Sequence, residues 1–225
     1  MFDEILVNSG PLLSASKLAD IKTLPEWDCG DEAEIARMAV VDAFEKNAEL
    51  FHQDATEPQT KYFIVNPALH ALGYIFSIDE MVPIQGDAKA SVDYTLFGAP
   101  EDFTEVEPFR SSPAFFRPAI ALAQSANWGE SLDVSDDPEV AAQQPQVVID
   151  VLLRFSGVHF GIVTNGRKWR LVHRATSEKY TTFAEVDLTR LSQDLESFKL
   201  FYVLFGSKSL ATNDEGQSFV HSLLA

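Results

Sequence analysis

Asp93 stands in a short strand-like run, Ser91–Phe97, and Gln124-Ser125-Ala126 follows a second such run, Ala119–Ala123. A metal-dependent phosphodiesterase needs hard oxygen ligands for Mg²⁺, usually carboxylates from adjacent strands. It also needs a group that orients water and offsets charge on the scissile phosphate. An Asp on one strand and a Glu-x-Lys on the next meet both needs, because period-2 alternation puts Glu and Lys on one face. Asp93 fills the first position. Gln124 and Ala126 fill the other two with an amide and a methyl. An amide oxygen is a neutral, poorer ligand for Mg²⁺, and alanine brings no charge and no donor. Asp93 is therefore a weak metal ligand or none, and the positions 93, 124 and 126 read as vestigial. The bland alternative is a strand-end aspartate.

Other chemistry-bearing residues are fewer. Arg167, Lys168 and Arg170 flank Trp169 next to Asn165-Gly166 and are the candidates for contacting a DNA phosphate. The bland alternative is a hairpin with charged edges. Glu101, Asp102, Glu105 and Glu107 lie in an acidic, proline-containing loop, Gly98–Pro118, and one of them is a candidate replacement ligand for the lost carboxylate. The histidines (52, 70, 159, 173 and 221) show no paired metal spacing. Cys29, the single cysteine, excludes an internal disulfide and a cysteine-rich zinc site, and reads as an idle thiol.

The elements that must hold these residues follow from pattern. Asp31 is placed to cap a helix over about Glu32–Leu50, with Ile35, Met38, Ala39 and Phe44 near helical spacing. A loop, His52–Glu57, leads to a second helix, about Gln59–Leu72, with Phe63, Ile64, Leu69 and Leu72 on its apolar face and Gly73 as its C′ residue. After the two strands comes a helix over Pro138–Ser156. Then come a strand Val158–Thr164, a two-residue Asn165-Gly166 turn and a returning strand Lys168–His173. Tyr180–Val186 reads as a further strand, and Leu188–Phe205 and Gly216–Leu224 as closing helices. The order predicts an α/β fold with a central mixed β-sheet flanked by helices.

In order and spacing these pieces resemble the PD-(D/E)XK nuclease-like domain at the N-terminus of type IIG restriction–modification enzymes. They resemble the type I restriction subunits more distantly. The likeness covers roughly residues 55–175 and weakens beyond. The family's Thr-Glu-x-Gln-Thr helix start is matched by Thr56-Glu57-Pro58-Gln59-Thr60, and its Ile-x-Pro-x-Leu-x-x-Leu-Gly-Tyr stretch by Ile64 to Tyr74. Pro-Asp-Tyr-x-Leu-Phe becomes Val92 to Phe97. Glu-Ala-Lys, a tryptophan and Leu-Asp become Gln124-Ser125-Ala126, Trp128 and Leu132-Asp133. Gly161-Ile162-Val163-Thr164-Asn165-Gly166-Arg167-Lys168-Trp169-Arg170-Leu171 follows the family's closing segment closely. The departures fall at functional positions: Gln124, Ala126, Val148 and Leu152 in the Pro145 helix where the family has Gln and Tyr, and Lys61 where it has an acid. Aliphatic Val148 and Leu152 point to natural decay of a site rather than deliberate inactivation.

The resemblance implies a restriction-endonuclease-like core over 55–187, preceded by an N-terminal helical segment, 1–54, and followed by C-terminal helices, 188–225, leading to a connector and an adenine methyltransferase. It implies a degenerate domain of a restriction–modification or phage-defence DNA methyltransferase, with a scaffolding or DNA-positioning role and no cofactor. DNA would be met through the attached methyltransferase or a target-recognition region, and a homodimer is in keeping with domains that work in pairs. If an acid has migrated into the site, the domain is instead an active Mg²⁺-dependent endonuclease.

Composition adds constraints. There are 34 acids against 17 bases, a net charge of −17. Affinity for a phosphate backbone comes from Lys and Arg displacing counterions, so this balance opposes duplex binding unless bases cluster. It motivates a third reading, a protein-interaction module or DNA mimic, beside plain solubility. No apolar run approaches a membrane span, and the opening Met1-Phe2-Asp3-Glu4-Ile5 lacks a signal peptide's basic start, so a cytoplasmic protein is expected.

Overall fold

The computed structural model describes residues 4–51 and 55–225. His52 and the start of the expected His52–Glu57 loop lie outside those residues. The chain forms a seven-stranded mixed sheet flanked by helices. The strands are β1 (Leu6–Ser9), β2 (Ile75–Pro83), β3 (Lys89–Phe97), β4 (Ala121–Ser125), β5 (Phe160–Thr164), β6 (Lys168–His173) and β7 (Phe183–Asp187), ordered β1-β7-β6-β5-β4-β3-β2. Neighbours run antiparallel except β4 and β5, which are parallel. A parallel pair requires a crossover.

Six helices matter for the argument: α1 (Gly30–Lys46), a composite α2 spanning Glu57–Thr60, Lys61–Val65 and Asn66–Ala71, α3 (Pro100–Val106), α4 (Pro145–Ser156), α5 (Leu195–Phe205) and α6 (Phe219–Leu223). The β4–β5 crossover carries α4. Pro145 starts this helix, where its missing N–H costs nothing, and Gly157, at φ +82°, ends it. Alternation along the strands builds two cores. Ala121, Ala123, Phe160, Ile162, Trp169 and Leu171 face α2 and α5, with Leu69, Phe198 and Phe201. Leu122, Val163 and Val172 face α4, with Ile149, Leu152 and Leu153.

Several expectations change. The opening stretch is not wholly helical, since β1 pairs with β7 at the sheet edge. Ser14 N–H donates to Leu223 O at 2.8 Å and Ala225 N–H to Leu12 O at 3.1 Å, so residues 12–14 lie beside residues 223–225. Residues 1–54, 55–187 and 188–225 all contribute to one shared core. Strand β2 is an additional strand, and Asp79, at φ +55°, interrupts the alternation of its burial. Helix α1 buries Ala33, Ala36, Val40 and Ala43, whereas Ile35 and Met38 are exposed. Small side chains let a neighbouring helix approach closely, and that outweighs the larger apolar residues one position away.

The acidic 98–118 stretch is largely helical. Pro100 opens α3, Asp102 Oδ2 accepts from Ala99 N–H at 3.1 Å, and Glu101 and Asp102 sit in the first turn, where the helix dipole favours negative charge. The β5–β6 turn is also different. Among its residues only Gly166 has positive φ, +80°. The chain reverses through Gly166-Arg167, while Asn165 Oδ1 clamps it by accepting from the N–H of Arg167 at 3.1 Å and of Lys168 at 2.6 Å. Glycine at the first central position is the other common two-residue solution. The Pro138–Ser156 helix is broken before Pro145, and Asp194 caps α5, splitting the expected Leu188–Phe205 helix.

Candidate functional site

Asp93 and Gln124 lie on neighbouring strands. The β3–β4 register pairs Tyr94 with Ala123 and Thr95 with Leu122, and Asp93 N–H donates to Gln124 Oε1 at 3.1 Å. The amide thus serves as a backbone acceptor. Asp93 itself is buried and engaged on both oxygens. Oδ2 accepts from Ser125 N–H at 2.7 Å and Ser125 Oγ at 2.8 Å, and Oδ1 accepts from Lys61 Nζ at 2.7 Å. The same Nζ lies 2.6 Å from Glu57 Oε1. Burial would lower the Lys61 pKa, but the hydrogen bonds it donates to Asp93 and Glu57 outweigh it and hold the ammonium above its ordinary value. An ammonium therefore stands between two carboxylates.

Helix α2 places it there. Thr56 N–H donates to Gln59 Oε1 at 2.9 Å, and Glu57 N–H to Asn127 Oδ1 at 2.8 Å, so the start of the helix is fixed to the segment after β4. Pro67 lacks the N–H that Phe63 O would accept within a regular α-helix. The helix widens just before it: Asn66 N–H reaches back to Lys61 O, and Lys61–Val65 forms a π turn. Such bulges recur at functional sites.

Ala126 is buried in the α4 core, as is Leu152, with Val148 packed against it. Positions 126, 148 and 152 are thus part of an apolar wall. Gln146 is fully buried on α4 with neither amide atom partnered among the described residues. A cleft of about 490 Å³ opens beside Ser125 and Ala126, lined also by Glu57, Glu130, Asp137 and Glu139. Among the described residues no lysine or arginine lines it.

Of the three candidate phosphate contacts, Arg170 is buried, whereas the Arg167 and Lys168 side chains stay about half exposed, 52% and 44%. Arg170 is 3% exposed: Nε donates to Glu185, Nη1 to Leu132 O at 2.7 Å and Nη2 to Asp133. With all three nitrogens engaged it has no face left for a phosphate, and the Leu132-Asp133 pair is explained as its acceptor. Arg167 pairs with Asp187 at 2.9 Å and Lys168 with Glu185 at 3.0 Å. Trp128 packs on Phe51 and Phe44, at centroid distances of 4.3 and 6.1 Å. Of the four acids in the 98–118 stretch, Asp102 caps α3 and Glu107 faces Arg110. The carboxylate that shares Lys61 with Asp93 is Glu57, which the sequence presents only as part of a helix start. The structure also gathers His159, His173 and His221, whose ligand atoms all lie within 4.8 Å of one another. Sequence spacing hides them because they come from the residue before β5, from β6 and from α6.

Among the described residues no helix is long and apolar enough to cross a membrane. Compared with protein-family models, with curated proteins and with solved structures, the chain matches none.

Proposed function

We propose that the chain is a catalytically degenerate restriction-endonuclease-like domain that scaffolds a type IIG-like restriction–modification or phage-defence DNA methyltransferase. One observation carries the reading: the Lys61 ammonium lies between Asp93 and Glu57, where a catalytic divalent ion would be held. Mg²⁺ requires near-octahedral oxygen coordination at about 2.0–2.1 Å and several waters. Lys61 supplies the neutralising charge without those open positions, and an ammonium does not generate a metal-bound hydroxide. Gln124 and Ala126 remove the remaining ligand and the companion lysine. The adjacency of β3 and β4 and the α4 crossover supply the framework on which such a site is built. With Arg170 buried and Arg167 and Lys168 paired, contact with DNA falls to an attached methyltransferase or target-recognition region.

Incubation of supercoiled plasmid with the purified chain and millimolar Mg²⁺ or Mn²⁺ tests the proposal. No nicking is expected at any salt concentration. Nicking that tracks the chain and disappears in Asp93→Ala would establish the active-endonuclease alternative.

A second reading has its own support. The acidic cleft beside Ser125, together with the net charge of −17, suits a basic protein partner. Fluorescence titration with oligolysine and with duplex DNA at low salt separates the two. Tight, salt-sensitive binding of oligolysine with none of DNA favours the interaction module, and the reverse excludes it.

A further inference from the structure

We propose that His159, His173 and His221 form a binding site for a divalent transition metal ion of the Zn²⁺ class. The three come from different elements. His159 directly precedes β5, and His173 ends β6, cross-strand from Phe160. His221 sits on α6, the last helix. Their ligand atoms lie within 4.8 Å of one another, and their ring centroids are 5.3 to 6.1 Å apart. The cluster is at the opposite end of β4 and β5 from Ser125 and Asp93, since Phe160 pairs with Ala121 whereas Thr164 pairs with Ser125. It is therefore independent of the site proposed above.

Three features point to a ligand rather than to ring packing alone. His173 Nε2 is buried and has no hydrogen-bond partner among the described residues. A buried polar atom left unpaired is costly, and a metal bond is one way to satisfy it. Secondly, His221 has an orienting group. Ser218 N–H donates to its Nδ1 at 3.1 Å and Ser218 Oγ lies 2.8 Å from the same atom, so ligation through Nε2 requires Nδ1 to take the proton and turn from accepting the N–H to donating to Oγ. A metal-bound histidine is typically fixed through its other nitrogen in this way. Thirdly, a cleft of about 420 Å³ is lined by both His159 and His221, with room for water as a fourth ligand.

The donor set selects the metal. Three imidazoles without a carboxylate suit Zn²⁺, Ni²⁺, Cu²⁺ or Co²⁺ and not Mg²⁺ or Ca²⁺. The rings are held neutral, as ligation requires. Burial depresses all three; Arg174 adds to it at His159, His159 adds to it at His221, and His221, His159 and Arg174 add to it at His173, which falls to about 4. Arg174 donates to Gly157 O at 2.5 Å and opposes a cation electrostatically, so binding rests on the imidazole bonds. Zn–N bonds of about 2.0–2.1 Å imply nitrogens roughly 3.3 Å apart in a tetrahedron, so from the 4.8 Å limit the rings close by up to about 1.5 Å. His159 is exposed and has the freedom to do so. A bound ion would tie α6 to the base of the β5–β6 hairpin.

The test uses tag-free, chelator-treated full chain, titrated calorimetrically with Zn²⁺ and spectroscopically with Co²⁺. One ion per chain at micromolar affinity or tighter is expected, with the intense visible bands of four-coordinate Co²⁺. Zn²⁺ should also raise the melting temperature, because it binds only the folded state. His159→Gln should weaken binding at least about tenfold, in line with the loss from disturbing a metal's surroundings. His221→Gln should do the same, while His70→Gln should leave it unchanged. Absence of binding up to millimolar Zn²⁺, or binding that survives His159→Gln with His221→Gln, overturns the site.

Discussion

Lys61 holds two carboxylates together, and the physical consequence is testable at that residue. Removing its charge leaves the buried Asp93 beside Glu57 with no cation between them. Hydrogen bonds to charged groups contribute about 1.5–3 kcal/mol each, so Lys61→Met is expected to lower stability by about 2 kcal/mol in urea denaturation. Asp93→Asn should cost less in the Lys61→Met background than alone, which a double-mutant cycle measures. If an ammonium stands where an ion once did, millimolar Mn²⁺ should stabilise Lys61→Met and leave the parent unaffected. An equal response of both proteins would reject the substitution of one cation for another. Cys29 makes a second residue-scale prediction. Burial pushes its thiol up, against the opposing pull of Lys199. Since the thiolate is the nucleophile, alkylation at neutral pH should be slower than for free cysteine, and unfolding should abolish the difference.

At the scale of elements, close approach decides more than hydrophobicity. A β-carbon at Gly161 would lie 2.7 Å from Ile149 Cγ1 and 2.9 Å from Val172 Cγ2. The α4–sheet spacing therefore depends on glycine there. Gly161→Ala is expected to destabilise the protein by about 2 kcal/mol through overpacking, read as a drop in urea midpoint without a change in slope. The same principle explains α1, whose sequence pattern suggested burial of Ile35 and Met38. Alanine and valine form the inward face instead, and no periodicity argument ranks small residues above large ones without knowing what lies opposite. Pro67 is legible as a helix breaker. That the helix answers with a π turn rather than a stop depends on the core residues Ile64, Val65, Ala68 and Leu69 being buried on both sides of it.

For the molecule as a whole, the net charge of −17 adds self-repulsion to the folded state. Screening falls within about 8–10 Å near physiological ionic strength, so the melting temperature should rise from low to physiological NaCl. A fall would mean that ion pairs such as Arg154–Asp150 and Lys208–Glu32 outweigh the repulsion. Rebuilding the site probes the architecture: Lys61→Glu with Gln124→Glu and Ala126→Lys is expected to bind Mn²⁺ by calorimetry where the parent does not. Much of the framework could be read from the chain alone. Short apolar runs and the Asn-Gly signal marked β3–β6, because these are local signals set by backbone geometry, and the apolar pattern up to Ser156 marked α4, whose start the structure moves from Pro138 to Pro145. Only the folded molecule paired Lys61 with Asp93 and Glu57, buried Arg170 against Glu185 and brought His159, His173 and His221 together. Those contacts join residues distant along the chain, and their chemistry depends on burial and charge that arise when separate elements close on one another.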